Sequence, residues 1–453
     1  MSITINCRSK GRNKNTALLI LIFLFGQEFD AAAQIAWYSL QNCIIKAEGN
    51  TIIQVEKANG NHALTNEIIV SDSFLPSISV STQQSVSTGR VLDPTTYQFV
   101  TNRSVYDMSA SIGGSMTLFS GMERYHQVKK AELNVQSAEW DVERTKNDLV
   151  LEVTRLFLEI LMDKETVEIC ENKIGLLEKQ EQLIAKKVEY QSATQGDLLN
   201  VQADLTRAQV ERSSALNELN MDKVAMCELL EIDDWEHFDV AFEDGSMEPR
   251  LWSVNDVMAH ASGLPQVRQK EVAVEQAKRD VQIASASYWP TVKLNAGYGS
   301  TFSNARVKTT GEEYLFYDQL RDNMSSYVTM SLSIPILSAF TASHTVKARK
   351  YAVQASELEL QRTLLALDKE VKQAVVQVNT AYEKYQLLAK EVEKGTEALR
   401  QTEAKYDAGA TTYYDYQIAL GNLFLAQAQR LQARYEYIYR TKIMDFYSGF
   451  SLY

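Results

Sequence analysis

The segment Tyr106–Phe119, YDMSASIGGSMTLF, alternates between two kinds of side chain. Tyr106, Met108, Ala110, Ile112, Met116 and Leu118 share one parity, and Asp107, Ser109, Ser111, Ser115 and Thr117 share the other. A period of two predicts a β-strand with one apolar and one polar face. Tyr327–Leu337, YVTMSLSIPIL, repeats the pattern with Val328, Met330, Leu332, Ile334 and Ile336 in its apolar row. Each of these strands follows another, Phe74–Val86 in the first case and Tyr288–Ser300 in the second, each opening on aromatic or apolar residues and a proline. The connections, about 87–105 and 301–326, are polar and long for hairpin loops, which usually have two to five residues.

After each strand pair the period changes. Positions 346, 353, 360, 367, 374, 381 and 388 are Val, Val, Leu, Leu, Ala, Ala and Leu, and positions 128, 135, 142, 149 and 156 are Val, Val, Val, Leu and Leu. A heptad sustained this long predicts a helix that winds left-handedly around its neighbours. The two helices run from about 121 to 191 and from about 340 to 408; 70 residues at about 1.5 Å each make rods of about 105 Å, too long for a compact domain. Gly409 is placed to end the second helix, with Thr411 or Thr412 capping the next, and Ser192 or Thr194 offers the corresponding cap in the first. Returning helices are expected at about 197–230 and 412–445, and a further helix at 265–285.

One offset of 218 residues relates the two halves. Ser115 meets Ser333, and without a gap His126 meets His344, Lys129 meets Lys347, Glu139 meets Glu357, Arg144-Thr145 meets Arg362-Thr363 and Asp197 meets Asp415. The halves are structural copies. Residues 34–230 form the first, 231–264 an acidic, aperiodic insertion, and 265–453 the second.

Composition narrows the class. Six prolines and nineteen glycines in 453 residues favour long helices, and a net charge of −12 without a basic block argues against nucleic acid. Arg8, Lys10, Arg12 and Lys14 precede Ala17–Phe25, ALLILIFLF, and Ala31–Ala33 follow, the order of a secretory signal peptide over 1–33. No apolar stretch reaches the roughly twenty residues of a membrane-spanning helix. Cys43, Cys170 and Cys227 are widely spaced and odd in number, so they read as core residues rather than a disulfide framework. The five histidines are scattered and no nucleophile elbow or phosphate-binding loop occurs, so no enzyme, metal site or cofactor is expected.

Four strands cannot close a barrel, and an open edge inside lipid is forbidden. Strands of about ten alternating residues nevertheless have the length that crosses an outer membrane. The conflict resolves if several chains share one barrel. Met108, Ile112, Met116, Leu118, Val328, Met330, Leu332 and Ile334 would then face lipid. Ser109, Ser111, Ser115, Thr117, Thr329, Ser331, Ser333, Lys293 and Asn295 would face a wet lumen.

The strand–strand–long helix–turn–helix repeat resembles the TolC family of outer-membrane efflux channels. Trp37–Asn50, Ser73–Ser81 and Lys405–Ala419 carry the likeness, which spans nearly all of the chain after residue 33. The resemblance implies a mainly α fold with a small β part, in which four strands per chain build a twelve-stranded barrel in a homotrimer above an α-helical coiled-coil tunnel. It also implies an outer-membrane location, a periplasmic adaptor and an inner-membrane pump of the RND or ABC type. It places the periplasmic aperture and adaptor-docking turns at Thr194, Asp197, Tyr406, Gly409, Thr411, Thr412 and Asp415. Thr411 and Ile418 stand where the resemblance leads one to expect a gate arginine and a second aspartate, so hydrogen bonds among Thr411, Thr412, Tyr406 and Tyr413 are the expected replacement. Asp197 and Asp415, three copies of each, are expected to ring a cation-favouring constriction. Efflux of drugs, metal ions or other small toxic solutes is the favoured reading. Type I protein secretion is the alternative within the same fold, and a secreted coiled-coil structural or adhesive protein is the alternative outside it.

Overall fold

The computed structural model describes residues 36–92, 97–241, 250, 252–306, 308, 312–337 and 339–450; the signal-peptide segment lies outside them. The chain begins with a short strand β1 (Ala36–Tyr38) and helices α1 (Leu40–Ala47) and α2 (Thr51–Asp72). Asn50 separates the two helices: its Oδ1 accepts from the Ile52 amide at 2.7 Å, and its Nδ2 donates to the Leu229 carbonyl at 2.7 Å. One side chain therefore caps α2 and anchors it to the far end of the first repeat.

Strands β2 (Ser77–Leu92) and β3 (Phe99–Ser120) follow, then the rod α3 (Glu123–Glu189) and its return α4 (Gln195–Leu230). The insertion contributes β4 (Phe238–Val240), parallel to β1, and α5 (Val254–Ala261). The second repeat runs α6 (Pro265–Ser285), β5 (Thr291–Ser303), α7 (Phe316–Asp322), β6 (Ser325–Ser333), α8 (Thr341–Asp407) and α9 (Tyr413–Tyr447). Both rods have 67 residues, about 100 Å, and their ends differ by the 218-residue offset.

The heptad row of α8 faces inward. Val346, Leu367, Ala374 and Ala381 are buried, as are Val371, Val378 and Val392 of the companion row. The largest core surrounds the middle of α3, where Leu149, Val153, Leu156, Phe157 and Ile160 pack on Met226, Leu230 and the β1–β4 pair. Cys43 and Cys227 are buried in that core, and burial pushes the Cys43 thiol up to about 12, so both act as small apolar side chains. Among the described residues no helix is long and apolar enough to cross a membrane.

Three expectations need correction. The first hairpin lacks a long loop, because β2 and β3 remain paired to Leu92 and Phe99 across an irregularity at Gly89/Val91. Backbone hydrogen bonds continue there with no alternation of side chains to announce them. The second connection contains α7, and buried Gln319 joins it to the end of β5 by accepting from the Ser303 amide at 3.0 Å and donating to its carbonyl at 2.9 Å. Finally, β6 stops at Ser333 rather than Leu337, because Pro335 has no N–H to give a ladder. Ile334 therefore lies just past the strand.

Candidate functional site

Sheet order is β2-β3-β5-β6, antiparallel throughout, with β2 and β6 at open edges. Because side chains alternate, register decides whether four separate patterns become two surfaces. They do. Ser77, Ser115, Asn295 and Thr329 form one rung, and Thr117, Lys293 and Ser331 the rung that skips one residue along the strands. Met116, Leu294 and Met330 lie between them on the opposite face. Ser109, Ser111, Ser115, Thr117, Lys293, Asn295, Thr329, Ser331 and Ser333 all share the polar face, where Ser77 and Ser115 hydroxyls meet at 2.8 Å and Ser81 and Ser111 at 2.9 Å.

Met108, Ile112, Met116, Val328, Met330 and Leu332 share the apolar face with Ile78 and Val80. Val80 and Val328 are 77% and 76% exposed in the single chain, so this surface has no cover within the protomer. Leu118 departs from its expected place. The ladder shifts between Thr117 and Phe119, so Leu118 occupies a bulge and Phe119, opposite Val292, continues the apolar row.

Aromatic residues bracket this face, the strand-opening Phe74 and Trp289 read from the sequence and others that patterning missed. Exposed Phe74, Phe119, Trp289 and Phe340 lie at the end where the strands join the rods. Exposed Tyr106 and Tyr317 lie toward the other, with exposed Phe99 seven residues further along β3. From Tyr106 to Phe119 is about 43 Å along the strand at ~3.3 Å per residue, and a tilt of about 40° makes it ~33 Å in height. That is the spacing of two membrane interfaces, where amphipathic rings concentrate.

At the opposite end of the rods the two hairpin turns are copies. The Ser192 amide donates to the Lys187 carbonyl at 2.7 Å and the Ala410 amide to the Lys405 carbonyl at 2.8 Å, the 6→1 bond of a Schellman turn. The residues at its bend are Gln191 at φ 55° and Gly409 at φ 70°. Thr194 and Thr412 then cap α4 and α9, each accepting from the amide three residues on. Asp197 Oδ2 accepts from the Thr194 amide and hydroxyl at 3.0 and 2.7 Å. Asp415 Oδ2 accepts from the hydroxyls of Thr412 and Thr411, both at 2.7 Å. Hydrogen bonds from these threonines hold both carboxyls below their ordinary pKa, so both carry charge at neutral pH.

The expected single network of Thr411, Thr412, Tyr406 and Tyr413 is not what forms. The threonines serve Asp415, while Tyr406, Tyr413 and Tyr416 pack ring against ring with centroids 5.9 to 6.3 Å apart. Lys187, from the first repeat, places its ammonium 4.5 Å from the Tyr406 ring centroid. Tyr413 and Tyr416 are buried among Leu177, Ile184, Val201 and Leu420, and burial pushes the Tyr416 phenol up to about 12. The three tyrosines belong to the second hairpin, and the burial of Tyr413 and Tyr416 against α3 and α4, with Lys187 over Tyr406, clasps it to the first. Tyr416 was not anticipated, since one tyrosine on a helix carries no signal of its neighbours.

The doubled strand-and-rod architecture and the two-faced open sheet are those of the outer-membrane efflux channels. The family model for "Outer membrane efflux protein" matches residues 47–230 and 261–441, and the chain belongs to that family. It is 21% identical over 341 residues to outer membrane protein TolC of Vibrio cholerae, covering 73% of this chain and 74% of the relative. Among solved structures it superposes on the Campylobacter jejuni CmeC outer membrane channel with a TM-score of 0.77 at 14% identity, over 91% of this chain and 86% of that one. The outer membrane protein VceC of Vibrio cholerae gives 0.75 at 14% identity, over 91% and 97%. The family consists of outer-membrane channels, not enzymes.

Proposed function

We propose that three copies of this chain form the outer-membrane exit duct of a tripartite export system for small toxic solutes. The observation that carries this reading is the sheet, whose four strands share one apolar and one polar face yet end in two unpaired edges. An edge in lipid leaves backbone groups unsatisfied at several kcal/mol each, so closure must come from other chains. Three copies supply twelve strands, with β6 of one protomer beside β2 of the next. The polar faces line the lumen and the aromatic residues mark the two interfaces.

The duct does no chemistry. A periplasmic adaptor meets the turns at Gln191–Asp197 and Gly409–Asp415, and an inner-membrane pump supplies the energy. Opening separates the two hairpins of each tip, against the packing of Tyr413 and Tyr416 on Leu177, Ile184 and Val201 and the Lys187–Tyr406 contact, rather than against an ionic lock. Asp197 and Asp415 bring six carboxylates to the constriction and favour cations there. In detergent the purified chain is expected to run as a heat-modifiable trimer from the outer-membrane fraction, and a deletion strain to accumulate dyes and drugs. A monomer that needs no detergent would reject the reading.

A further inference from the structure

The polar face of the sheet is almost free of charge. Over the rungs from Asp107 to Thr117, its charged residues are Asp107 at one end and Lys293 at the other, with Ser, Thr, Asn, Gln, Gly and Tyr between. Ten residues of strand separate them, about 33 Å, whereas salt screens charges beyond ~8 Å. Lys293 is exposed, and among the described residues it has no ion-pair partner. Its cross-strand neighbours, Thr117 and Ser331, are neutral.

A second cation converges on it. Arg124, in the first turn of α3, lines the same hollow of about 660 Å³ together with Lys293, Asn295, Ser115 and Thr117. Arg124 donates to the Thr117 carbonyl at 3.2 Å and, among the described residues, likewise has no carboxylate partner. Asp72 is the one acid in the lining. The next cations along the rod are paired: Lys129 with Glu132 and Lys130 with Asp280, both at 2.7 Å. Two cations left without partners beside hydroxyl and amide groups are the composition of a site for anions.

We propose that Lys293 and Arg124 form a collar, where sheet meets rods, that attracts solutes bearing carboxylate, phosphate or sulfonate groups. This rests on the Ser/Thr face being the lumen. Three protomers then contribute six cations to one ring. The tip aspartates lie a rod length away, about 100 Å, so the two charged stations act independently. Anionic cargo that has passed the tip meets a second, favourable station before the barrel.

The test uses the full-length trimer in planar lipid bilayers. Lys293→Gln, Arg124→Gln and the charge-preserving Lys293→Arg are compared with the parent for chloride-to-potassium permeability ratio and for current block by mellitate, a benzene ring with six carboxylates. Lys293→Gln is expected to lower the permeability ratio about twofold and to weaken mellitate block about tenfold, Arg124→Gln to act in the same direction, and Lys293→Arg to match the parent. Conducting trimers whose permeability ratio and mellitate block are the same in Lys293→Gln as in the parent would overturn the collar alone. Folded trimers that conduct no current in any variant would overturn the lumen assignment beneath it.

Discussion

The matched turns at the rod tips allow opposite substitutions at equivalent positions. Gly409 sits at φ 70° with no atom within 4 Å of where a Cβ would stand, so Gly409→Ala meets backbone strain and nothing else. That strain is about 1–2 kcal/mol for an L-residue in the left-handed region. Alanine also restricts the unfolded chain, which returns about 0.4–1 kcal/mol. The net local cost is about 0.5–1 kcal/mol. Gln191 occupies the same bend at φ 55°, so Gln191→Gly reverses the arithmetic and should gain a similar amount. Hydrogen exchange at the Ala410 and Ser192 amides, which close the two turns, reads these changes locally. Exchange at Ala410 should quicken about two- to fivefold in Gly409→Ala, and exchange at Ser192 should slow by a comparable factor in Gln191→Gly. Unchanged protection in the first variant, or faster exchange in the second, would refute the equivalence of the two turns.

Three further outcomes are expected. A Cβ on Gly121, at φ 64°, would lie 2.6 Å from Trp289 Cβ and 2.8 Å from the Ala286 carbonyl oxygen, so Gly121→Ala should cost about 2–5 kcal/mol and lower the yield of folded trimer. Its copy Ala339 already carries a Cβ at φ 48°, and Ala339→Gly should leave that yield intact. Burial, then the charges of Asp222 and Glu218, raises the Asp163 carboxyl from 3.8 to about 7. The folded state therefore holds this proton more tightly than the unfolded one, and stability falls as pH rises from about 4 to 7. Asp163→Asn removes that fall, by up to about 4 kcal/mol, and parallel pH profiles of unfolding for mutant and parent would count against it. Ile112→Arg, on the apolar face, should cost about 2–4 kcal/mol in membranes while Ser109→Arg is tolerated; equal damage in a trimer-yield assay would remove the distinction between faces.

Much of this architecture is legible in the sequence because its signals are local and repeated. Both rods end within two residues of where heptad and turn chemistry place them, since Gly409, Thr412 and Thr194 act on their own neighbours. What escaped depends on partners far along the chain. Strands β1 and β4 have three residues each and pair across two hundred positions, leaving no periodicity to find. Helix α2 carries scattered apolar residues, of which only Ile53 is buried, so its stripe is too weak to read. The Leu118 bulge flips parity by one residue, which alternation alone cannot reveal when Leu118 and Phe119 are both apolar. At the tips, the threonine caps were visible in the residues, whereas the aromatic clasp requires α9 to be packed on α3 and α4 first.

The two-sided character of the sheet is the claim on which the duct depends. Its most direct measurement is a nitroxide scan of residues 108–117 in the trimer reconstituted in lipid, comparing relaxation by oxygen, which partitions into the bilayer, with relaxation by a water-soluble nickel chelate. Oxygen accessibility should peak at Met108, Ala110, Ile112, Gly114 and Met116, and nickel accessibility at Ser109, Ser111, Gly113, Ser115 and Thr117. Equal accessibility to nickel on both parities would contradict it.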